Sequence, residues 1–201
     1  MFDARLRPLI DPALNHAGRV LAGMGVTANQ LTFAGLALGL AGAGAIAAGA
    51  IGWGLALIIA NRVFDGLDGA VARVRGPSDL GGYFDIVADF AFYVSVPLGF
   101  GVLAAANTLP ALVLVASFVL TGVSFLAFAT IAAKRGAETA AHGRKSFFYS
   151  TGLAEGAETI AVFIAMCLFP AWFGVIAYAY AALCALTILQ RSALAITMFR
   201  D

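Results

Sequence analysis

Asp65-Gly-Leu-Asp68-Gly69-Ala-Val-Ala72-Arg73, followed after seven residues by Gly81-x-x-x-Asp85-x-x-x-Asp89, interrupts a chain that is otherwise apolar. Carboxylates inside a bilayer are costly and are seldom kept there without a task. Asp65 and Asp68, three residues apart, share a helix face; Asp85 and Asp89, four apart, share a face of the next helix. A turn around Gly76-Pro77 lets the two acidic faces meet. Converging carboxylates repel one another when empty, and a divalent cation relieves that repulsion. All-oxygen ligands favour Mg²⁺, Mn²⁺ or Ca²⁺ over Zn²⁺, and Mg²⁺ usually binds through a few carboxylates plus substrate phosphates. Gly69 and Gly81 lie one turn from Asp65 and Asp85, where a missing side chain lets a ligand approach the backbone. Arg73 adds a fork suited to phosphate. An ion-pair network that only fixes helix packing is the plainer reading. It would not need glycine at both positions, nor so many uncompensated carboxylates.

The 201 residues are 62% hydrophobic and 11% charged, with a mean hydropathy of +0.94. A soluble domain is about 45–50% apolar and roughly 25% charged. The composition therefore predicts an all-α integral membrane protein, and a net charge of +1 gives no field for nucleic acid. Cys167 and Cys184 lie in apolar runs and read as buried small hydrophobes. Residues 1–29 lack the compact apolar core and cleavage site of a signal peptide.

A spanning helix needs about 20 mostly apolar residues. Six are expected: about Leu31 to Ala48; Gly52 to Val63, continuing through Arg73; Gly82 to Ala105; Pro110 to Ala133; Thr151 to Phe169; and Trp172 to Leu194. Gly49–Gly54, Asn107–Pro110 and Pro170 break the pattern. Trp53 and Trp172 stand beside two of these breaks, as an interfacial aromatic belt would place them. None of the three breaks contains Lys, Arg, Asp or Glu. With six spans every charge falls on one side, which the positive-inside rule makes cytoplasmic, with both termini. Pro8 and Pro12 are expected to break the first residues, leaving a short amphipathic surface helix before the bundle. The organisation is one domain over 1–201: a juxtamembrane segment, 1–29, and a six-helix bundle, 30–201.

The eight fixed positions from Asp65 to Asp89 resemble the signature of the CDP-alcohol phosphotransferases, and all eight agree. The six-helix plan and Asn29-Gln-Leu-Thr32 extend the resemblance. The whole chain is similar to a bacterial inner-membrane branch of that family, through Asn61-Arg62, the Lys145–Tyr149 run and Gly152-x-x-Glu155-Gly-x-Glu158-Thr159. The resemblance implies transfer of a phosphate-linked group from a CDP-linked donor to an alcohol, with release of CMP. It implies two ions of Mg²⁺ or Mn²⁺ on Asp65, Asp68 and Asp85. Asp89 would be the base that deprotonates the acceptor, and an additional metal ligand. Asn29, Thr32, Asp68, Gly69, Arg73 and Gly81 would contact the CDP moiety, and Ser78 would reach the pyrophosphate. It further implies a homodimer in the inner membrane, with its site open to cytosol and lipid.

The leading expectation is phosphatidyl transfer from CDP-diacylglycerol to a small polar alcohol. The reverse lipid logic, a soluble CDP-alcohol giving its headgroup to diacylglycerol, is the alternative within the same chemistry. A cation- or proton-coupled transporter is the alternative of another class, disfavoured because the acidic cluster sits at one membrane face. The acceptor is not legible. Lys134, Arg144 and Lys145 suit an anionic acceptor, Glu155 and Glu158 a cationic one. Arg191, inside the last apolar run, either touches the acceptor or pairs with Glu155 or Glu158. Arg62, three residues before Asp65, balances the carboxylates.

Overall fold

The computed structural model describes the backbone of residues 3–135 and 153–200, and it is all-helical there. Helix α1 spans Asp3–Gly23, α2 Ala28–Ala47, α3 Ile51–Arg75, α4 Asp79–Leu103, α5 Thr108–Lys134, α6 Gly156–Leu168 and α7 Phe173–Phe199. Single 3₁₀ turns, Ala105–Asn107 and Pro170–Trp172, lead into α5 and α7. The helix breaks read from glycine and proline are therefore present. One expectation is corrected: α1 runs unbroken through Pro8 and Pro12. Thr151, the expected start of the fifth span, lies outside the described residues, and α6 begins at Gly156.

Local chemistry sets each boundary near the acidic motif. Gly25 takes a φ of 92°, a conformation open to glycine, and turns the chain out of α1. Thr27 then caps α2 with a reciprocal box: its Oγ1 accepts from Gln30 N–H at 3.3 Å, and Gln30 Oε1 accepts from Thr27 N–H at 2.9 Å. Gly76, φ 95°, ends α3, and Ser78 caps α4 by accepting from Gly81 N–H at 3.1 Å.

Among the described residues four helices are long and apolar enough to cross a membrane: α2, α4, α5 with the turn before it, and α7. The C-terminal half of α3 is too charged to qualify by composition, and α6 has only 13 residues. The two tryptophans at the breaks are exposed, Trp53 at 73% and Trp172 at 62%, so their rings are free to sit at an interface. Both cysteines are buried free thiols, as their apolar surroundings predicted.

Lipid gives little hydrophobic drive between helices, so close packing matters, and small residues permit it. Gly35, Gly39 and Gly42 form one stripe of α2. It faces Phe64 and Asn61, then Phe92, then Gly54 and Leu57. Phe92 continues inward to Phe163 (edge-on, 5.8 Å between centroids), which meets Phe118 at 6.0 Å. A Cβ at Gly39 would lie 2.5 Å from Phe92 Cδ2 and 3.1 Å from Asn61 Nδ2, in space with no slack. Gly39→Val is expected to lower the thermal midpoint in detergent, at an overpacking cost of about 1–3 kcal/mol. Gly44→Val, where a Cβ meets nothing within 4 Å, serves as the control and should leave the midpoint unchanged. Equal midpoints for the two variants, read by size-exclusion thermal challenge, would refute the packing account.

Candidate metal and phosphate site

The acidic faces of α3 and α4 do meet. One oxygen from each of Asp65, Asp68 and Asp85 lies within 4.8 Å of the other two. An ion of the Mg²⁺ or Ca²⁺ class sits about 2.0–2.6 Å from its oxygen ligands, so oxygens up to about twice that apart can share one. The donor set is hard, anionic and within reach, and it fits such an ion. Burial is graded across it: Asp68 is buried, Asp65 half-buried and Asp85 exposed. The interior side is thereby fixed and the outer side open.

Helix α2 supplies the wall. Thr32 Oγ1 donates to Asp68 Oδ2 at 2.7 Å, a buried charge-assisted bond that sets the carboxylate's orientation. Asn29, one turn earlier, places its Oδ1 3.4 Å from the position a Cβ of Gly81 would take. The capping box at Thr27 thus aims two polar residues of α2 at the two halves of the motif. At Gly81 a Cβ would also come within 3.0 Å of Ser78 Oγ. At Gly69 it would meet only Arg73 Nη1, at 3.5 Å, so the backbone there is open.

Asp89 does not join the three-carboxylate set. Its Oδ1 accepts from Arg62 Nη1 at 3.1 Å, and the same nitrogen is 3.6 Å from Asp65 Oδ2. Arg62 thus does balance the carboxylates. A small cavity among Thr32, Asn61, Arg62, Asp65, Asp68 and Asp89 joins α2, α3 and α4.

Two supporting residues escape a reading by local spacing. Asn15 of α1 accepts from Arg73 at both Nε (3.1 Å) and Nη2 (2.9 Å) and so holds this guanidinium from 58 residues away. Nearby, Arg75 Nη2 donates to the Ala22 carbonyl at 2.9 Å. Gly18 allows this docking, since a Cβ there would stand 2.7 Å from Ala70 Cβ. Asn61 is the second: it donates to the Gly35 carbonyl at 2.8 Å and accepts from Arg62 Nε at 2.7 Å. No periodicity or motif in α1 marks Asn15. Asn61 was visible through the resemblance carried by Asn61-Arg62, without a structural role attached.

Of the acceptor candidates, Arg191, Glu155, Glu158 and Lys134 lie within the described residues. Arg191 is buried in α7, and its Nη1 donates to the Thr121 carbonyl (3.0 Å) and Ser124 Oγ (2.6 Å) of α5. Glu155 stands at the N-cap position of α6, without a side-chain cap bond, and Glu158 lies in the first turn, where a carboxylate complements the helix dipole. Lys134 is the last residue of α5 and is exposed. Arg144 and Lys145 lie outside the described residues.

The model of the CDP-alcohol phosphatidyltransferase family matches residues 25–198, which includes every element of this site except α1. The chain belongs to that family. It is therefore a transferase enzyme of the CDP-alcohol phosphatidyl-transfer type. It is 46% identical over 196 residues to the inner membrane protein YnjF of Escherichia coli (strain K12), covering 95% of this chain and 93% of that one. It is 32% identical over 103 residues to an archaetidylinositol phosphate synthase of Pyrococcus horikoshii, covering 48% of this chain and 52% of that one. Among solved structures, phosphatidylinositol phosphate synthase of Mycobacterium tuberculosis with CDP-DAG bound gives a TM-score of 0.68 at 22% identity, covering 92% of this chain and 94% of that one. The same synthase in complex with manganese and citrate also gives 0.68, at 22% identity, covering 90% and 87%. These likenesses establish that this transferase shares the synthase fold along nearly its whole length.

Proposed function

We propose that the enzyme transfers a phosphatidyl group from CDP-diacylglycerol to the hydroxyl of a small polar alcohol, with a divalent cation, Mg²⁺ or Mn²⁺, on Asp65, Asp68 and Asp85. The observation that carries this reading is the three-carboxylate set beside a phosphate fork, Arg73, with glycine at both approach points. The relatives bear on the donor: the synthase of this fold binds CDP-DAG, and the archaeal relative is named for an inositol phosphate product.

The alcohol oxygen attacks the phosphorus that carries diacylglycerol, the anhydride bond to CMP breaks, and CMP leaves with the bridging oxygen. The cation, when bound, neutralises pyrophosphate charge and stabilises the leaving CMP. The protein does the rest. Asp89 takes the hydroxyl proton on Oδ2, because Oδ1 is held by Arg62. Thr32 keeps Asp68 turned toward the site. Gly69, Gly81 and Asn29 leave room for the CDP moiety, Ser78 stands beside it at the α4 cap, and Arg73 grips a phosphate. In this reading α3 and α6 also span, giving six spans with both termini and the site on the cytoplasmic side of the inner membrane, and two copies form a homodimer.

Asn15 supplies a test of the phosphate fork. Asn15→Ala releases Arg73, and KM for the CDP donor is expected to rise by roughly tenfold, the weight of one charge-assisted contact, with kcat little changed. A fall in kcat at constant KM would place Arg73 elsewhere in the reaction.

The acceptor is found by supplying CDP-diacylglycerol with glycerol 3-phosphate, inositol 1-phosphate, inositol, serine, ethanolamine or choline, and analysing the lipid product by mass spectrometry. One new phospholipid is the expected result. A product formed only from CDP-choline and diacylglycerol would reverse the direction of lipid transfer.

A further inference from the structure

Helix α1 carries more apolar surface than α3 covers. Leu14 and Gly18 meet α3: Leu14 Cδ1 stands 2.8 Å from where a Cβ of Gly66 would lie, and Gly18 packs on Ala70. Beside that docked face runs a second stripe, Ile10, Ala13, Ala17, Val20 and Met24, spaced by three and four residues as one side of a helix is. Met24 prolongs the helix, its N–H donating to the Val20 carbonyl at 3.0 Å. Ile10 is 48% exposed, Val20 51% and Met24 73%. His16 and Arg19, also exposed, occupy the third side. An apolar arc and a polar arc thus both face outward.

Residues 24–27 alone separate α1 from α2, a helix long and apolar enough to cross a membrane. So short a link reaches at most about 18 Å even fully extended, so α1 stays at the surface of the bilayer that α2 enters. The headgroup–acyl boundary is the medium that accepts such a stripe while leaving His16 and Arg19 in water. The rotation of α1 that turns the stripe outward also brings Asn15 to Nε and Nη2 of Arg73, with Arg73 Nη1 3.5 Å from where a Cβ of Gly69 would lie. We propose that the stripe rests in the lipid boundary and that this contact fixes the rotation of α1, so that Asn15 holds Arg73 with Nη1 beside Gly69. The lipid surface that presents the donor then also sets the group that grips it. The coupling rests on the phosphate role of Arg73 proposed above; the lipid contact does not.

The test uses the full-length protein in nanodiscs of phosphatidylethanolamine and phosphatidylglycerol, with size exclusion to check folding. Cys167 and Cys184 are buried, so a nitroxide goes to one new thiol, Val20→Cys, Met24→Cys or His16→Cys. Oxygen, which concentrates in lipid, is expected to relax the spins at positions 20 and 24, and a water-soluble nickel chelate the spin at 16. Nickel access at 20 and 24 equal to that at 16 would overturn the lipid contact. Shielding of 20 and 24 from both reagents would put protein over the stripe and overturn it too. The coupling is read from the mole fraction of CDP-diacylglycerol that half-saturates the thermal shift. Val20→Gln with Met24→Gln is expected to raise it toward the roughly tenfold of Asn15→Ala, with no further rise when all three are combined. His16→Gln should leave it unchanged. An unchanged value in the stripe variant, or a rise that adds to that of Asn15→Ala, would overturn the coupling. Should the paired substitution impair folding, Met24→Gln alone, at the most exposed position of the stripe, decides. A wild type that binds no CDP-diacylglycerol would overturn the donor reading and the coupling with it, and the nitroxides would still decide the lipid contact.

Discussion

Asp89→Asn is expected to reduce CMP release by about 10²–10⁴-fold, the usual weight of a positioned general base, while CDP-diacylglycerol still binds. The substitution keeps the size of the side chain and its ability to accept from Arg62 through Oδ1. It removes the negative charge, and with it the capacity to take a proton. Turnover and donor binding therefore separate. CMP is measured in a single-turnover assay, and donor binding by the thermal shift that the CDP lipid produces. Wild-type turnover in a folded Asp89→Asn would remove Asp89 from the role of base. Loss of donor binding together with turnover would make it a binding residue instead.

The second large effect is expected at Asp85. It is the only member of the three-carboxylate set supplied by α4, and the most exposed. Asp85→Asn leaves two carboxylates, both from α3, and opens one side of the ion's cage. A metal that stabilises transition-state charge contributes several kcal/mol, and each 1.36 kcal/mol is tenfold in rate. A loss of at least about 10²-fold in CMP release is expected on that arithmetic. Bound Mn²⁺ should fall in parallel, with partial recovery of activity at high Mn²⁺. An Asp85→Asn enzyme that keeps its Mn²⁺ but loses turnover would move Asp85 from holding the ion to another task.

The acidic site was legible because its information is local. Spacings of three and four residues put Asp65 with Asp68 and Asp85 with Asp89, and Gly76-Pro77 forced the two helices to turn back on each other. The helix breaks were legible for the same reason, since glycine and proline act on their own backbone. Proline also misled: Pro8 and Pro12 lie within α1, which docks on α3 around Gly18 and is held there by partners more than 50 residues away. The partition of the four carboxylates was hidden as well. Spacing puts Asp89 on one face with Asp85 but does not show that Arg62, 27 residues earlier, donates to its Oδ1. Arg191 shows a further limit: its Nη1 donates to the Thr121 carbonyl and Ser124 hydroxyl of α5, contacts that its place in an apolar run does not announce. The glycine abundance announced close packing, but only the structure identifies Gly35, Gly39 and Gly42 as the stripe that brings α2 against the site.

The measurement that bears most directly on the central claim is CMP release from CDP-diacylglycerol by the purified protein in detergent, with Mn²⁺ or Mg²⁺ and the acceptor panel. The account predicts release that depends on one acceptor and stops on chelation with EDTA. Release that persists undiminished in EDTA, or none from CDP-diacylglycerol with any acceptor while CDP-choline and diacylglycerol react, would contradict it.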